Sequence, residues 1–366
     1  MTIRHQQGRT SAPTQLAANT HAPIALTMGD ACGIGPEILA KLWRTPLSAG
    51  CVVVGDVAVM RRAVALTGGG LAVARVAAAA DAFSVPPACM AVLQVDSLPP
   101  DLLDAPLGRV DARAGRAAAA CIETAARLAR EGAVAAIVTA PIHKEALALA
   151  GVPFPGHTEL LQALAWPTGE AKPVRMMLAN DELRTVLVTI HLSLRDAIAA
   201  VTFDAVLETI RIAHRAAQGW GDARPRIAVA GLNPHAGEGG LFGAEELKFI
   251  QPAVEAACRE GIDARGPFAP DTVFMRARHA PAAPGAPAGT PHHPGEFDIV
   301  IAMTHDHGLI PVKYLGVENG VNVTLGLPFV RTSPDHGTAF DIAGQGRADA
   351  SSLLAALRMA RRLLPR

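Results

Sequence analysis

The sequence predicts an α/β protein built around a largely parallel sheet. Short apolar runs alternate with Ala- and Leu-rich stretches of helical spacing from residue 23 to the C-terminus. Examples are PIALTM before GDACGIGPEILAKLW, in which Pro36 is expected to begin a helix, and AAIVTA before PIHKEALALAG. Residues 111–131 predict a long Ala-rich helix that ends at Gly132.

The composition limits the class of protein. With 366 residues, half of them hydrophobic, the chain can bury one large core or two moderate ones without disulfides or metal. The 33 Lys and Arg balance 33 Asp and Glu, so no net charge attracts nucleic acid or an anionic membrane surface, and phosphate recognition must be local. Five cysteines without CxxC spacing, and no secretory or membrane-spanning run, favour a cytoplasmic protein.

Two segments fall outside the α/β pattern. Residues 1–22 are polar and are expected to be a disordered extension. Residues 276–296 are rich in Pro, Ala and Gly, which predicts a surface loop. His279, His292 and His293 in that segment could hold a metal adventitiously, but a solvated loop is the preferred interpretation.

Three histidines follow three apolar strands. TVLVTIH ends at His191, RIAVAGLNPH at His235 and FDIVIAMTH at His305. The carboxyl ends of parallel strands form the ligand-binding crevice of an open sheet, so three imidazoles there suggest a divalent metal site. The alternative, that each histidine only caps a strand or hydrogen-bonds within a loop, has about equal weight at this point.

Other polar residues interrupt apolar surroundings. In FPGHTELL, His157 or Thr158 is expected to cap a helix, with an anion site as the alternative. Lys313, Asn322 and Arg331 are expected to face a cleft or a counter-ion, because Lys and Arg are seldom buried unpaired. These groups could supply the local recognition of phosphate or carboxylate.

Two glycine-bearing loops could contact a cofactor. GDACGIGPE follows the first strand but lacks the GxGxxG spacing, which excludes a Rossmann fingerprint. The segment SPDHGTAFDIAGQGRAD could clasp an adenosine through its backbone and short side chains, and its candidate residues are His336, Gly337, Thr338 and Asp341.

Seven motifs occur in order between Ile24 and Asp349: TMGDACGIGPE, VTAPIHKEAL, FPGHTELL, LNPHAGEGG, GPFAPDTVF, HDHGLIPVK and VNVTLGLPFVRTSPDHGTAFDIAG. Together they resemble the 4-hydroxythreonine-4-phosphate dehydrogenase family of vitamin B6 biosynthesis, including its catabolic paralogues. That family is similar in fold to isocitrate and isopropylmalate dehydrogenases, two-domain enzymes that bind NAD(P) without a Rossmann fingerprint and share active sites within a homodimer. We therefore expect residues 23–140 plus 325–366 to form a cofactor-side domain and residues 141–324 a domain that carries the metal and the dimer interface.

The resemblance also implies roles for individual residues. It makes His191, His235 and His305 ligands of one divalent ion (Zn²⁺, Mg²⁺, Mn²⁺ or Co²⁺), drawn from both subunits. Asp271 and Asp306 are implied to keep the site in order, and the general base is left open among Lys313, Lys144 and His157. The implied substrate ligands are His157, Thr158, Lys313, Asn322 and Arg331, and the implied cofactor-side residues are Gly29, Gly33, Gly35, His336, Gly337, Thr338 and Asp341.

The implied reaction is metal-assisted oxidation of 4-phosphohydroxy-L-threonine by NAD⁺ or NADP⁺. The 3-keto acid formed loses CO₂ to give 3-amino-2-oxopropyl phosphate, in pyridoxal phosphate biosynthesis. Four positions near the expected pocket depart from the pattern of the biosynthetic enzyme: Met28, Cys32, Thr304 and His307. They motivate an alternative, a paralogue that oxidises 4-phospho-threonate, 4-phospho-erythronate or an aromatic cis-dihydrodiol carboxylate such as that of terephthalate. A third hypothesis, of another class, is a non-catalytic metal- or nucleotide-binding protein.

Overall fold

A computed structural model describes residues 22–280 and 294–365 of the chain. The predicted extension at 1–22 lies outside the described residues except for its last position, as does most of the predicted loop at 276–296, with His292 and His293. Of that loop, residues 276 and 277 belong instead to the end of a short helix. His279 is engaged locally: its Nε2 lies 3.1 Å from the Phe297 carbonyl oxygen and its Nδ1 accepts from the Gly295 N–H at 3.3 Å.

The described residues form twelve strands in one sheet. They are β1 Ile24–Thr27, β2 Cys51–Gly55, β3 Ala72–Val76, β4 Cys89–Gln94, β5 Ala136–Thr139, β6 Arg175–Ala179, β7 Arg184–Leu187, β8 Ile227–Ala230, β9 Ala264–Phe268, β10 Ile299–Ala302, β11 Val321–Leu325 and β12 Val330–Pro334.

Eleven α-helices cover this sheet within the same residues, and none of them is long and apolar enough to cross a membrane. They are α1 Gly35–Leu42, α2 Val57–Leu66, α3 Ala112–Arg130, α4 Lys144–Leu149, α5 His157–Ala165, α6 Leu194–Ala200, α7 Phe203–Gly219, α8 Gln251–Arg259, α9 Val273–Ala277, α10 His305–Tyr314 and α11 Ser351–Leu363.

The α/β prediction is confirmed, and the sheet is largely parallel as expected. Its strand order is β3-β4-β2-β1-β5-β12-β11-β6-β7-β10-β8-β9. Antiparallel pairing occurs only at its centre, where β11 pairs with β12 and β6, and β6 pairs with β7. Because three successive pairings reverse the chain direction, the parallel strands on the two sides of this central seam run in opposite directions.

A hairpin between β6 and β7 forms part of the seam. The Asn180 side-chain oxygen accepts hydrogen bonds from the backbone N–H groups of Glu182 and Leu183, both at 2.8 Å, and so closes the turn. In the strand order, β1 to β5 and β12 form one half of the sheet, and β6 to β11 form the other half. The division into two domains at these residues stays a prediction.

The long helix α3 packs closely because its side chains are small. Asp111 caps its N-terminus by accepting from the Arg113 N–H at 2.8 Å, and Gly132 follows its end with a φ of 71°, as predicted. Gly115 faces α4 so closely that a Cβ there would lie 2.0 Å from the Ala146 carbonyl oxygen. This contact holds α4, the helix that follows β5, against α3.

Gly115→Ala is expected to destabilise the protein, although Ala favours helix by about 1 kcal/mol over Gly. The new methyl would overlap backbone, and overpacking of this kind costs about 1–3 kcal/mol. We expect a lower thermal unfolding midpoint. Gly219→Ala in α7 is the matched control, since no atom lies within 4 Å of its Cβ position. A Gly115→Ala midpoint equal to that of the control would contradict the packing argument.

Candidate active site

The three predicted metal histidines lie at one edge of the sheet. His191 follows β7, His235 follows β8 and His305 follows β10, and these strands are neighbours in the order β7-β10-β8 and run parallel. The strands end three to five residues before each histidine. The expected placement at equivalent strand ends is therefore confirmed, while the metal role is not tested by it.

Two of these histidines are close together within one chain. The rings of His191 and His305 lie 5.8 Å apart between centroids. The Nδ1 atom of His305 lies 2.7 Å from an Asp306 carboxylate oxygen, so Asp306 orients His305 and leaves its Nε2 free. Partial desolvation, and then the charges of Lys144 and His305, lower the pKa of His191, although its side chain is exposed at the surface. A neutral His191 is the form that can donate a lone pair to a metal.

His235 does not join this pair within one chain. Among the described residues, no three His, Cys, Asp or Glu side chains come together as a metal site. His235 begins a run of five residues with left-handed backbone, from 235 to 239, three of which are not glycine. Left-handed backbone costs about 1–2 kcal/mol for a non-glycine residue, and such conformations concentrate at functional sites.

Exposed apolar side chains follow each of the three histidines in the chain. His191 and His235 are themselves exposed. Eight apolar or aromatic side chains within these segments are at least 41% exposed, and Tyr314 on α10 is 90% exposed. They are Leu192, Leu194 and Ile198 after His191, Leu241, Phe242 and Leu247 after His235, and Ile310 and Tyr314 after His305.

Arg331 is a buried cation in the central seam. Its side chain on β12 is only 2% exposed, and its guanidinium donates to Thr324 Oγ1 at 3.1 Å and Thr139 Oγ1 at 2.7 Å. The Nε atom has no partner, and no carboxylate of the described residues forms an ion pair with this guanidinium. Burial lowers the pKa of Arg331 to about 10, while Glu159 acts in the opposite direction. The group is thus arranged to receive an anion.

Two further predicted substrate ligands present unpaired buried atoms. His157 Nε2 and Asn322 Oδ1 are out of contact with solvent and have no hydrogen-bond partner. Burial, and then Arg331, hold the pKa of His157 well below its usual range, so this imidazole is neutral. The capping prediction was wrong: Gly156 is the N-cap of α5, and His157 and Thr158 are its first two residues.

Glu159 in the first turn of α5 bears on both Arg331 and His191. Its charge acts to raise the pKa values of both groups, against the larger lowering effect of burial. Sequence reasoning did not assign Glu159, Thr139 or Thr324 to the site. Thr324 stands two positions after Asn322 in β11, so the two share one face of the strand, and that spacing was the available signal.

The three candidates for the general base differ in their surroundings. Lys313 Nζ lies 2.8 Å from the carboxylate of Asp335, a residue that sequence reasoning did not assign to the site. Lys144 begins α4, is exposed and lies near enough to His191 to lower its pKa. His157 is neutral and close to Arg331.

The two predicted cofactor loops contact each other. The Ile34 N–H donates to the Thr338 carbonyl oxygen at 3.0 Å, and a Cβ on Gly33 would lie 2.9 Å from the Thr338 side chain. The Glu37 carboxylate accepts from the Gly344 N–H at 2.5 Å and anchors the second loop. Gly29 and Gly35 likewise have no room for a Cβ, so close packing accounts for these glycines without a cofactor.

The remaining predicted residues occupy different environments. Asp271, Gly337 and Asp341 are exposed, and His336 Nδ1 lies 3.0 Å from the Gly337 carbonyl oxygen. Of the four departures from the family pattern, Met28, Cys32 and Thr304 are buried and His307 is half-buried. Thr304 is the N-cap of α10 but makes no side-chain capping bond.

The protein belongs to the class of α/β proteins that bind ligands at the carboxyl ends of their strands, as many enzymes do. Its sheet carries histidines beyond three of these ends and, in its central strands, a buried cation without an ion-pair partner among the described residues. Its family follows from comparison. The chain belongs to the family described as pyridoxal phosphate biosynthetic protein PdxA, which matches residues 48–360.

Named relatives of this chain are dehydrogenases. A 4-hydroxythreonine-4-phosphate dehydrogenase of Beijerinckia indica is 55% identical over 342 residues, 93% of this chain and 95% of the relative. A D-threonate 4-phosphate dehydrogenase of Salmonella typhimurium is 42% identical and covers 93% and 98% of the two chains. The crystal structure of a Klebsiella pneumoniae 4-hydroxythreonine-4-phosphate dehydrogenase is 44% identical, with a TM-score of 0.82 over 93% and 99%. Family membership therefore supports an oxidoreductase.

Inorganic phosphate is expected to stabilise the protein through Arg331. A ligand at ten times its Kd raises the free energy of unfolding by about 1.4 kcal/mol, which thermal unfolding detects. Arg331→Met should abolish this phosphate-dependent stabilisation. Arg175→Met is the matched control, since Arg175 is also partly buried in a central strand and donates to a threonine hydroxyl, that of Thr209, at 2.7 Å. Equal phosphate stabilisation of the Arg331→Met variant and the wild type would contradict the anion site.

Proposed function

We propose that the chain is a metal-dependent, NAD(P)-linked dehydrogenase that oxidises 4-phosphohydroxy-L-threonine. The product is a 3-keto acid that decarboxylates to 3-amino-2-oxopropyl phosphate in pyridoxal phosphate biosynthesis. The observation that carries the proposal is the buried guanidinium of Arg331, which has no carboxylate partner among the described residues and donates only to two threonine hydroxyls. A small phosphorylated hydroxy acid supplies the missing negative charge.

The substrate's phosphate is assigned to the seam. Arg331 offers the charge, and Thr139 and Thr324 fix the direction of its guanidinium. The neutral His157 has its Nε2 unpaired and available to a hydrogen-bonding group of the substrate, and Asn322 and Thr158 complete the polar lining. We assign Lys313, held by Asp335, to substrate binding as well.

A divalent metal fits the histidine edge. His191 is neutral and His305 has its Nε2 free, so each can be a ligand, and His235 of a second copy of the chain would supply the third. When bound, the ion acts as a Lewis acid toward the substrate oxygen. Zn²⁺, Mg²⁺, Mn²⁺ and Co²⁺ all remain candidates for this site.

We propose Lys144 as the general base. It begins α4 and contributes to the lowered pKa of His191, whereas Lys313 is held in an ion pair with Asp335 and Arg331 contributes to the lowered pKa of His157. Its amine, once deprotonated, would accept the hydroxyl proton of the substrate. Bound NAD⁺ or NADP⁺ supplies the hydride acceptor, and the contacting loops at residues 29–35 and 336–341 are the proposed place for it.

A homodimer is part of the proposal, because the third histidine is out of reach within one chain. The exposed apolar side chains that follow each histidine provide the surface for it. A second copy that covers this surface would bring His235 toward His191 and His305.

A second candidate is oxidation of D-threonate 4-phosphate. It is favoured by the Salmonella typhimurium relative, which is a D-threonate 4-phosphate dehydrogenase and is 42% identical to this chain. Thr304 and His307 flank the histidine His305 and are the positions where this specificity could be set.

Reduction of NAD⁺ or NADP⁺ by the purified protein tests the function. We expect the highest kcat/KM with 4-phosphohydroxy-L-threonine, compared with D-threonate 4-phosphate, erythronate 4-phosphate and the terephthalate cis-dihydrodiol.

The metal dependence is tested with the same assay. Removal of divalent metal by a chelator should abolish turnover, and each of the four divalent ions is then added back. His235→Ala should lower kcat/KM by at least about 100-fold, because a metal ligand is lost. A preference for D-threonate 4-phosphate would establish the second candidate, and no cofactor reduction with any substrate would favour a non-catalytic binding protein.

The dimer has a test of its own. Leu194→Asp places a charge on the exposed apolar surface and should shift the protein from dimer to monomer in light scattering after size-exclusion chromatography, with loss of metal binding. Phe83→Asp is the control, since Phe83 is 58% exposed but lies far along the chain from the histidines. A Leu194→Asp protein that remains a metal-binding dimer would exclude this surface as the interface.

A further inference from the structure

The turn that carries His235 is held in a conformation that its sequence does not favour. Residues 235–239 all have φ between 43° and 79°, which makes a left-handed helical turn. Only two of the five are glycine. Something outside the turn must therefore fix this backbone, because single residues, not runs, usually adopt it.

The carboxylate of Glu246 is positioned to do so. One oxygen accepts the backbone N–H groups of Leu232 and Asn233, both at 2.7 Å, and the other accepts from Asn233 Nδ2 at 2.9 Å. The side chain is only 2% exposed. Among the described residues, no Lys or Arg forms an ion pair with it. Its charge is balanced by N–H donors at the entry to the turn.

The surrounding backbone is shaped around this carboxylate. Glu246 begins a π-helical turn, Glu246–Ile250, that leads into α8 and is itself an uncommon conformation often found at functional sites. A Cβ on Gly237 would lie 2.7 Å from Glu246 Oε2, and one on Gly231 would lie 3.1 Å from Oε1. Both glycines are thus needed for the carboxylate to reach the turn.

We propose that Glu246 is a positioning residue for the metal site: it fixes the left-handed turn so that His235 projects from the surface of one subunit toward the His191–His305 pair of another. This inference rests on the proposed metal site and assigns a role to a residue outside the ligand set. Glu246 acts through the backbone at 232–233 and does not itself contact the ion. Asn233 relays the contact, because its side chain also donates to Glu245 at 2.8 Å.

Cobalt titration of the metal-free protein tests this role, with the visible d–d absorption of Co²⁺ as a readout of ligand geometry. Glu246→Gln keeps the shape but sets an amide donor against Asn233 Nδ2, so Co²⁺ affinity should fall at least about ten-fold, within the range for groups that orient metal ligands. The d–d spectrum should change as well. Asn233→Ala, which removes the Nδ2 contacts with Glu246 and Glu245 but keeps both backbone N–H donors, should weaken binding less.

Asp298→Asn is the matched control. Its carboxylate accepts hydrogen bonds from the backbone N–H of Arg226 at 2.8 Å and from the side chain of Arg226 at 3.0 Å. This contact joins β8 and β10 at the strand ends that lie away from the histidines. This variant should lose stability yet keep the Co²⁺ affinity and spectrum of the wild type, whereas a merely structural role for Glu246 would give both variants the same metal behaviour.

The outcomes separate this inference from the proposed site. If His235→Ala abolishes Co²⁺ binding while Glu246→Gln retains the wild-type affinity and spectrum, the role of Glu246 is wrong and the metal site stands. If His235→Ala binds Co²⁺ as the wild type does, the metal site itself is wrong. Should Glu246→Gln not fold, Asn233→Ala decides, and unchanged Co²⁺ affinity in that variant overturns the inference.

Discussion

The buried guanidinium of Arg331 is the constraint on which the centre of this structure depends. Removing a charged group from water costs several kcal/mol unless it is paired, and the two threonine hydroxyls that hold Arg331 are neutral. Strands β5, β11 and β12 must therefore align their side chains around one cation. The proposed anion site would supply the missing negative charge locally, which requires no net positive charge on the chain.

Desolvation gives the site the protonation states that binding requires. The same burial that lowers the pKa of Arg331 also lowers the pKa of His157, and partial desolvation lowers the pKa of the exposed His191. Both imidazoles are consequently neutral, one beside the guanidinium and one beside His305. Glu159 opposes these shifts in Arg331 and His191, but burial has the larger effect on both groups.

The sequence predicted the parallel parts of the fold and missed its centre. Alternating apolar runs and Ala-rich stretches identify βα units, and the capping residues Asp111 and Gly132 mark α3 correctly. The β6–β7 hairpin was not predicted, because both strands are short and its local sequence signal is a single Asn at the turn. The histidine edge was predictable because strand ends can be read from hydrophobic runs, whereas Thr139, Thr324 and Glu246 act through long-range contacts that leave no local pattern.

The hairpin and its neighbours also restrict how the molecule can move. Strands β12, β11, β6 and β7 form an unbroken hydrogen-bonded ribbon across the middle of the sheet, so the two sides are not joined only by loops that could swing freely. A relative movement of the two sides that preserves those hydrogen bonds would be a change in sheet twist spread over several strands.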